Sequence, residues 1–276
     1  MSTRKRFIKS LTFILALLML MSLTACGKGS SEKELRVGME CAYAPFNWTQ
    51  VTDENGAVKL SDGTYAGGYD VEIAKRIAES MDRKLVIVKT DWDGLTPSLT
   101  SGKIDVIIAG MSATEDRKLT IDFSDNYYYS DLVVVVQKDG AYAGAASLDD
   151  FEGAKITAQL NTLHYDVIDQ LTGVLKQTAL EDFPTMIIAL TSGKIDGYIS
   201  ERPGALSAVA ANPSLSFVEF VPGQGFDYSG DEVSIAVGVA KNSPLTAEIN
   251  KALAEISEEK RLEIMEQAVL DQPLGQ

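Results

Sequence analysis

Residues 99–105 and 190–196 both read LTSGKID, so one seven-residue string occurs twice in a single chain at an offset of 91. The same offset pairs Asp91 with Asp182 and Trp92 with Phe183 upstream, and Gly110 with Glu201 downstream. In each copy, apolar residues at helical spacing (Leu95 and Leu99, Ile187 and Leu190) run into Ser-Gly, which stops a helix. A short apolar run follows, VIIAG or GYIS, of the kind that forms a buried strand. Each copy is therefore a helix-glycine-strand unit, and two of them predict two similar α/β lobes.

The pattern around the copies extends this reading. Strand 35–39, helix 69–81, strand 85–89, helix 95–101 and strand 106–109 alternate, which predicts a mostly parallel sheet in lobe one. Val71, Ile73, Ala74, Ile77, Ala78 and Met81 give helix 69–81 its core-facing stripe. Lobe two repeats the scheme with strand 155–158, helix 164–171 and the second LTSGKID unit. The apolar strands 132–136 and 233–239 are read as two crossings between lobes. Two helices close the chain, one opened by Ser243 with Pro244 at its first position, the other by Ser257. Between Trp48 and Gly67 a long polar loop carries Asn55-Gly56 and Asp62-Gly63 turn signals and predicts a hairpin. Ligands of open parallel sheets bind beyond the carboxyl ends of the strands, so Gly110-Met111-Ser112 and Glu201-Arg202 should face one another across a cleft.

At the N-terminus Arg4, Lys5, Arg6 and Lys9 precede an apolar run at 11–21, the layout of a secretory signal and too short for a membrane-spanning helix of roughly 20 residues. Leu23-Thr24-Ala25-Cys26 follows and resembles the bacterial lipobox. That resemblance implies cleavage before Cys26 and a lipid on its thiol, with the protein held on the outer face of the cytoplasmic membrane. GKGSSEKE, residues 27–34, reads as a flexible tether. The expected organisation is thus 1–25 signal peptide, 26–34 lipidated cysteine and tether, 35–130 lobe one, 131–230 lobe two, and 231–276 a return crossing with helices that pack on lobe one. Processing would remove four of the 25 basic residues and none of the 39 acidic ones, leaving 21 against 39, or −18. Such a charge disfavours nucleic acid as a partner. Cys41 would be left as the sole thiol besides the lipidated one and reads as a small buried hydrophobe.

YAPF at 43–46, GYDVEIAKRIA at 68–78, WDGLTPSLTSGKIDVIIAGMSATEDRK at 92–118 and IDFSDNYYYS at 121–130 are together specific. Through them nearly all of the processed chain is similar to the polar amino-acid binding proteins of bacterial ABC importers, the extracellular solute-binding proteins of family 3. The resemblance implies a two-lobed, periplasmic-binding-protein-like (type II) α/β fold with a hinge and an interlobe cleft. It further implies a free amino acid as ligand, an importer permease as partner, a monomer, no cofactor and no metal.

The site residues follow from the same resemblance. Arg117 would hold the ligand α-carboxylate with Gly110 and Ser112, a task that suits a guanidinium fork; the alternative is a surface pair with Asp116. Glu201 would take the α-ammonium, although the family more often places aspartate there. Thr162 lies in a turn where Asn161 stands for the usual glycine and Leu163 for a hydroxyl residue; it would meet the carboxylate or serve only as a helix cap. Tyr43 and Tyr69 would sandwich the ligand side chain, with Phe46 from the same loop as Tyr43. Glu40 matches an acid that meets the side-chain nitrogen in relatives selecting cationic amino acids, which favours lysine or arginine over glutamine. It could equally be held by a cation of the protein.

Two rival functions stay open at this point. Some dehydratases resemble these binders, but the chain has one histidine, His164, expected as a cap or surface residue, and no nucleophile-base-acid set. A sensor ectodomain would differ only in its partner.

Overall fold

A computed structural model describes residues 33–221, 223–228 and 232–273. The signal-like segment and Cys26 lie outside the described residues. Strand β1 (Glu34–Met39) is followed by the short strands β2 (Ala42–Tyr43), β3 (Asn47–Gln50), β4 (Val58–Lys59) and β5 (Tyr65–Gly67). Next come α1 (Tyr69–Ser80), β6 (Lys84–Lys89), α2 (Leu95–Thr100), β7 (Val106–Ile107), α3 (Glu115–Thr120) and β8 (Asp122–Tyr129). The middle of the chain forms β9 (Leu132–Gln137), β10 (Lys155–Thr157), α4 (Leu163–Asp166), β11 (Leu175–Lys176), α5 (Phe183–Thr191), β12 (Gly197–Glu201), α6 (Arg202–Ala211) and β13 (Leu215–Val218). It ends with β14 (Ser234–Val239), α7 (Leu245–Ala254) and α8 (Glu258–Asp271).

Two five-stranded sheets have the same plan, β6-β1-β7-β14-β8 and β11-β10-β12-β9-β13. In each, the first three strands are parallel and the fourth is antiparallel to both of its neighbours. The strands read as crossings, β9 and β14, are those fourth strands, so they are built into sheets instead of bridging them, and the chain changes sheet just before each. Their run of Val and Ile follows from burial on both faces. Along β9, Leu132, Val134 and Val136 pack with Phe151 and Ile156 on one face, while Val133 and Val135 join Leu190 and Tyr198 on the other.

The LTSGKID copies do the same work in each sheet. Gly102 and Gly193 take left-handed φ values of +74° and +71°, which a glycine adopts freely. Their N–H groups close the helices onto Leu99 O and Leu190 O, and Lys103 N–H and Lys194 N–H reach Ser98 O and Ala189 O. The terminal aspartates then tie β7 and β12 to the first parallel strand of their own lobe. Asp105 accepts from Arg36 N at 2.8 Å and Asp196 from Lys155 N at 2.9 Å.

Elsewhere the expectations need small adjustments. Asp62-Gly63 is the tip of the β4-β5 hairpin, whereas Asn55-Gly56, both left-handed, form a 3-10 turn before it. Helix 164–171 divides into α4 and a 3-10 turn at Val167–Gln170. Helix α7 starts one residue later than expected, with Pro244 in the cap position, yet it is the Ser243 hydroxyl that accepts from Leu245 N at 3.3 Å, while Ser257 caps α8 by accepting from Lys260 N. Cys41 is buried with a free thiol that burial pushes up to about 12, so it is an inert hydrophobe at neutral pH.

Candidate ligand-binding cleft

The carboxyl ends of the parallel strands meet between the two sheets. Glu40 follows β1, Gly110 follows β7, Gln159 and Thr162 follow β10, and Glu201 ends β12. Gln159, Phe183 and Asn161 on one side reach residues of the other. Gln159 Nε2 donates to Glu40 Oε2 at 2.9 Å and to Glu181 O at 2.9 Å. Tyr43 stacks on Phe183 with ring centroids 3.9 Å apart and planes 8° from parallel. Asn161, left-handed at φ +56°, gives its side-chain amide to Asp93 at 2.8 Å, and its carbonyl accepts from Arg117 at 2.9 Å.

Arg117 sits on α3 because Thr114 caps that helix and turns it back toward Ser112. One guanidinium nitrogen donates to Ser112 O at 2.9 Å, and the plane lies 5.0 Å over the Trp92 ring. Burial lowers its pKa to about 10, offset in part by Asp166, so it remains a cation at neutral pH. Two of its five N–H donors are spent on these carbonyls, and three are left for an anion. It pairs with neither Asp116 nor any other carboxylate among the described residues.

Glu40 and Glu201 are the chemically costly residues. They are 6% and 1% exposed. Burial pushes each up to about 8; the Gln159 hydrogen bond opposes the rise in Glu40, and Glu40 adds to the rise in Glu201. Glu201 Oε1 lies 3.0 Å from His164 Nε2. Seven buried side-chain polar atoms lack a partner among the described residues, and five of them cluster here: Glu40 Oε1, Tyr43 OH, His164 Nδ1, Ser200 Oγ and Glu201 Oε2. Buried polar atoms are ordinarily paired, so such a cluster needs an explanation; a polar ligand with several N–H groups supplies one. Beside Glu40 a cavity of about 290 Å³ is lined by Asp91, Trp92, Asp93, Glu181 and Asp182.

Gly110 has φ +59°, and a Cβ there would meet Tyr43 at 3.2 Å, so backbone conformation and close approach both demand glycine. Thr162 is buried with its hydroxyl donating to Gln159 O at 2.6 Å, which shapes the turn. Ser112 contributes its carbonyl to Arg117. Phe46 and Tyr69 lie in the core of lobe one, Tyr69 donating to Tyr127 O at 2.9 Å with its ring against Tyr127 and Tyr128. Tyr69 is thereby not brought alongside Tyr43; the ring that stacks on Tyr43 is Phe183. Below them Asp70 accepts from Asn47 at 2.8 Å and from Tyr127 OH at 2.7 Å, while Asn47 Oδ1 accepts from Cys41 N at 2.7 Å, bracing the loop that carries Tyr43.

Sequence reading missed Gln159, Phe183 and His164 as cleft residues. Phe183 had a signal, since the repeat offset pairs it with Trp92; both cover a site residue, Tyr43 and Arg117. His164 had none, and the expectation of a cap or surface residue is corrected: it is 6% exposed and held by Glu201 and the edge of Phe183. Its partner arrives from a strand 37 residues further on.

These features define a two-lobed binder of a small polar solute. The chain belongs to the bacterial extracellular solute-binding proteins, family 3, whose pattern matches residues 35–270. It is 31% identical over 210 residues to a probable histidine-binding protein of Campylobacter jejuni, covering 75% of this chain and 76% of that one. To the arginine-binding extracellular protein ArtP of Bacillus subtilis it is 28% identical over 265 residues, 92% and 95% of the two chains. An amino acid ABC transporter substrate-binding protein from Streptococcus pneumoniae, solved with L-arginine, superposes with a TM-score of 0.74 at 28% identity, over 86% of this chain and 94% of that one. The family places the protein outside the cytoplasm. Among the described residues no helix is long and apolar enough to cross a membrane.

Proposed function

We propose that the chain captures a basic L-amino acid between its lobes and delivers it to an ABC importer, without catalysing a reaction. The carrying observation is the cluster of unpartnered buried atoms around Glu40 and Glu201, opposite a single arginine. An amino acid of basic side chain brings one carboxylate and two cations. Arg117 takes the carboxylate, Glu201 the α-ammonium, and Glu40 the side-chain cation, with Asp91, Asp93, Glu181 and Asp182 deepening the negative field around it. Tyr43, on its Phe183 platform, offers a ring edge and hydroxyl to the stem. A neutral amide such as glutamine brings no cation to ionise Glu40 and so forgoes the charge-assisted bond. The names of the two relatives given above, which refer to histidine and arginine, support this class of ligand.

Cys26 is the lipid attachment point in this reading, and the membrane is reached through it. Calorimetric titration with arginine, lysine, histidine and glutamine tests the ligand class: a basic amino acid binds tightest, and Glu40→Gln weakens basic ligands selectively. Glutamine binding tightest, with no selective loss in that variant, would sink it. Fatty-acid labelling that disappears in Cys26→Ala tests the anchor.

A further inference from the structure

Glu201 and His164 reach one another from separate elements, the end of β12 and helix α4, and their side chains are 2% and 8% exposed. One carboxylate oxygen, Oε1, is 3.0 Å from the imidazole Nε2. The other, Oε2, has no partner among the described residues, and neither has Nδ1. Phe183 meets the ring nearly edge-on, at 80° and 6.3 Å between centroids.

An ionised carboxylate only accepts, so against ionised Glu201 a neutral imidazole must carry its hydrogen on Nε2. Charging the ring would bury a bare Nδ1–H close to a second cation. Burial and Arg117 accordingly hold the imidazole at about 3, so the ring is neutral throughout the physiological range, and it donates from Nε2 wherever Glu201 is ionised, as it is opposite a bound ammonium. Glutamate also has a long side chain, whose rotamers must be frozen before it can grip a ligand, and a bond already formed to one oxygen removes that cost.

We infer that His164 is the positioning residue of the ammonium site: its Nε2–H holds Oε1 of Glu201 and so presents Oε2 to the α-ammonium of the bound amino acid. The inference rests on the proposed role of Glu201.

Three probes, L-arginine, L-lysine and L-glutamine, are each titrated beside the analogue that lacks only the α-amino group. In His164→Leu the amino acid that binds weakens by roughly ten- to hundredfold, the size expected for a hydrogen bond to a charged group. The deamino analogue is unaffected, and Glu201→Ala abolishes the effect. His164→Gln, which keeps a side-chain N–H donor, recovers most of the affinity. Because the chain has a single histidine, nitrogen NMR of the saturated, tag-free protein shows one imidazole, in the Nε2–H form. Equal weakening of amino acid and analogue, the same loss in the Glu201→Ala background, no loss at all in His164→Leu, or an Nδ1–H or doubly protonated ring overturns the positioning role. Unchanged affinity in Glu201→Ala, or a parent chain that binds none of the three, overturns the ammonium reading instead.

Discussion

The two LTSGKID units are identical for seven residues and then diverge, and the divergence carries the residues of the proposed ligand site. In both lobes the shared string caps a helix on glycine and ties a strand through aspartate. Beyond that strand, lobe one breaks at left-handed Gly110 and runs through a loop to α3, which delivers Arg117. Lobe two carries its strand on to Glu201 and passes directly into α6. One scaffold therefore presents a cation from one side and an acid from the other, the two charges that a zwitterion requires. The residues kept alike serve the fold, and in the proposed function those that differ serve the ligand.

Arg117→Ala is the most severe break of this division of labour. It should cost about 2–5 kcal/mol in amino-acid affinity, the penalty for stripping one partner from a buried charge pair, and calorimetry with L-arginine measures it. A loss much below 1 kcal/mol would place the carboxylate elsewhere.

A pH series tests the acid side. Glu40 and Glu201 titrate near 8 in the fold, against 4.5 for the free groups. A carboxyl whose pKa is raised by folding contributes stability that is complete below about 4.5 and lost as pH rises through about 8. The ligand-free protein should thus lose melting temperature between about pH 4.5 and 8, and Glu40→Gln with Glu201→Gln should flatten that slope. Binding of a cation expels the same protons, so affinity should rise over this window. A slope unchanged in the double variant would refute the assignment.

The shared aspartates sharpen the comparison in stability. Asp105 accepts from Arg36 N, Nε and a terminal guanidinium nitrogen, the last at 2.6 Å, whereas among the described residues Asp196 shows the backbone bond to Lys155. Both are partly exposed. Asp105→Ala should therefore destabilise by about 1–3 kcal/mol and Asp196→Ala by about 1 kcal/mol, read from urea unfolding midpoints. Equal costs would mean that the arginine fork adds nothing beyond the common backbone tie.

Asn161→Gly should have the smallest effect. Glycine keeps the left-handed turn and the carbonyl that Arg117 uses, so only the 2.8 Å bond to Asp93 is lost. About 0.5–1.5 kcal/mol of affinity is expected. A larger loss would show that the side chain governs lobe closure and not one contact alone.

Much of the architecture was legible from short-range signals. The repeat announced two like sheets, because helix caps and strand alternation are written within a few residues of where they act. Gly110, Glu201 and Glu40 stand at or just after strand ends, where a cleft is expected, whereas Arg117 lies on α3 and was singled out through the family resemblance. Tyr69 shows the limit. Its sequence position at the head of α1 suits a cleft aromatic as well as a core aromatic, and the partner that decides, Tyr127, lies 58 residues away.

By itself, then, the sequence determined the local units, their duplication, and the glycine and the acid that end equivalent strands. Tertiary structure decided which groups share the cleft. Glu40 meets Gln159 across 119 positions, Tyr43 stacks on Phe183, and the lone histidine lies against Glu201. Periodicity carries no information about such pairs, since they depend on how two separately built sheets face each other and on which polar atoms burial then leaves unpaired.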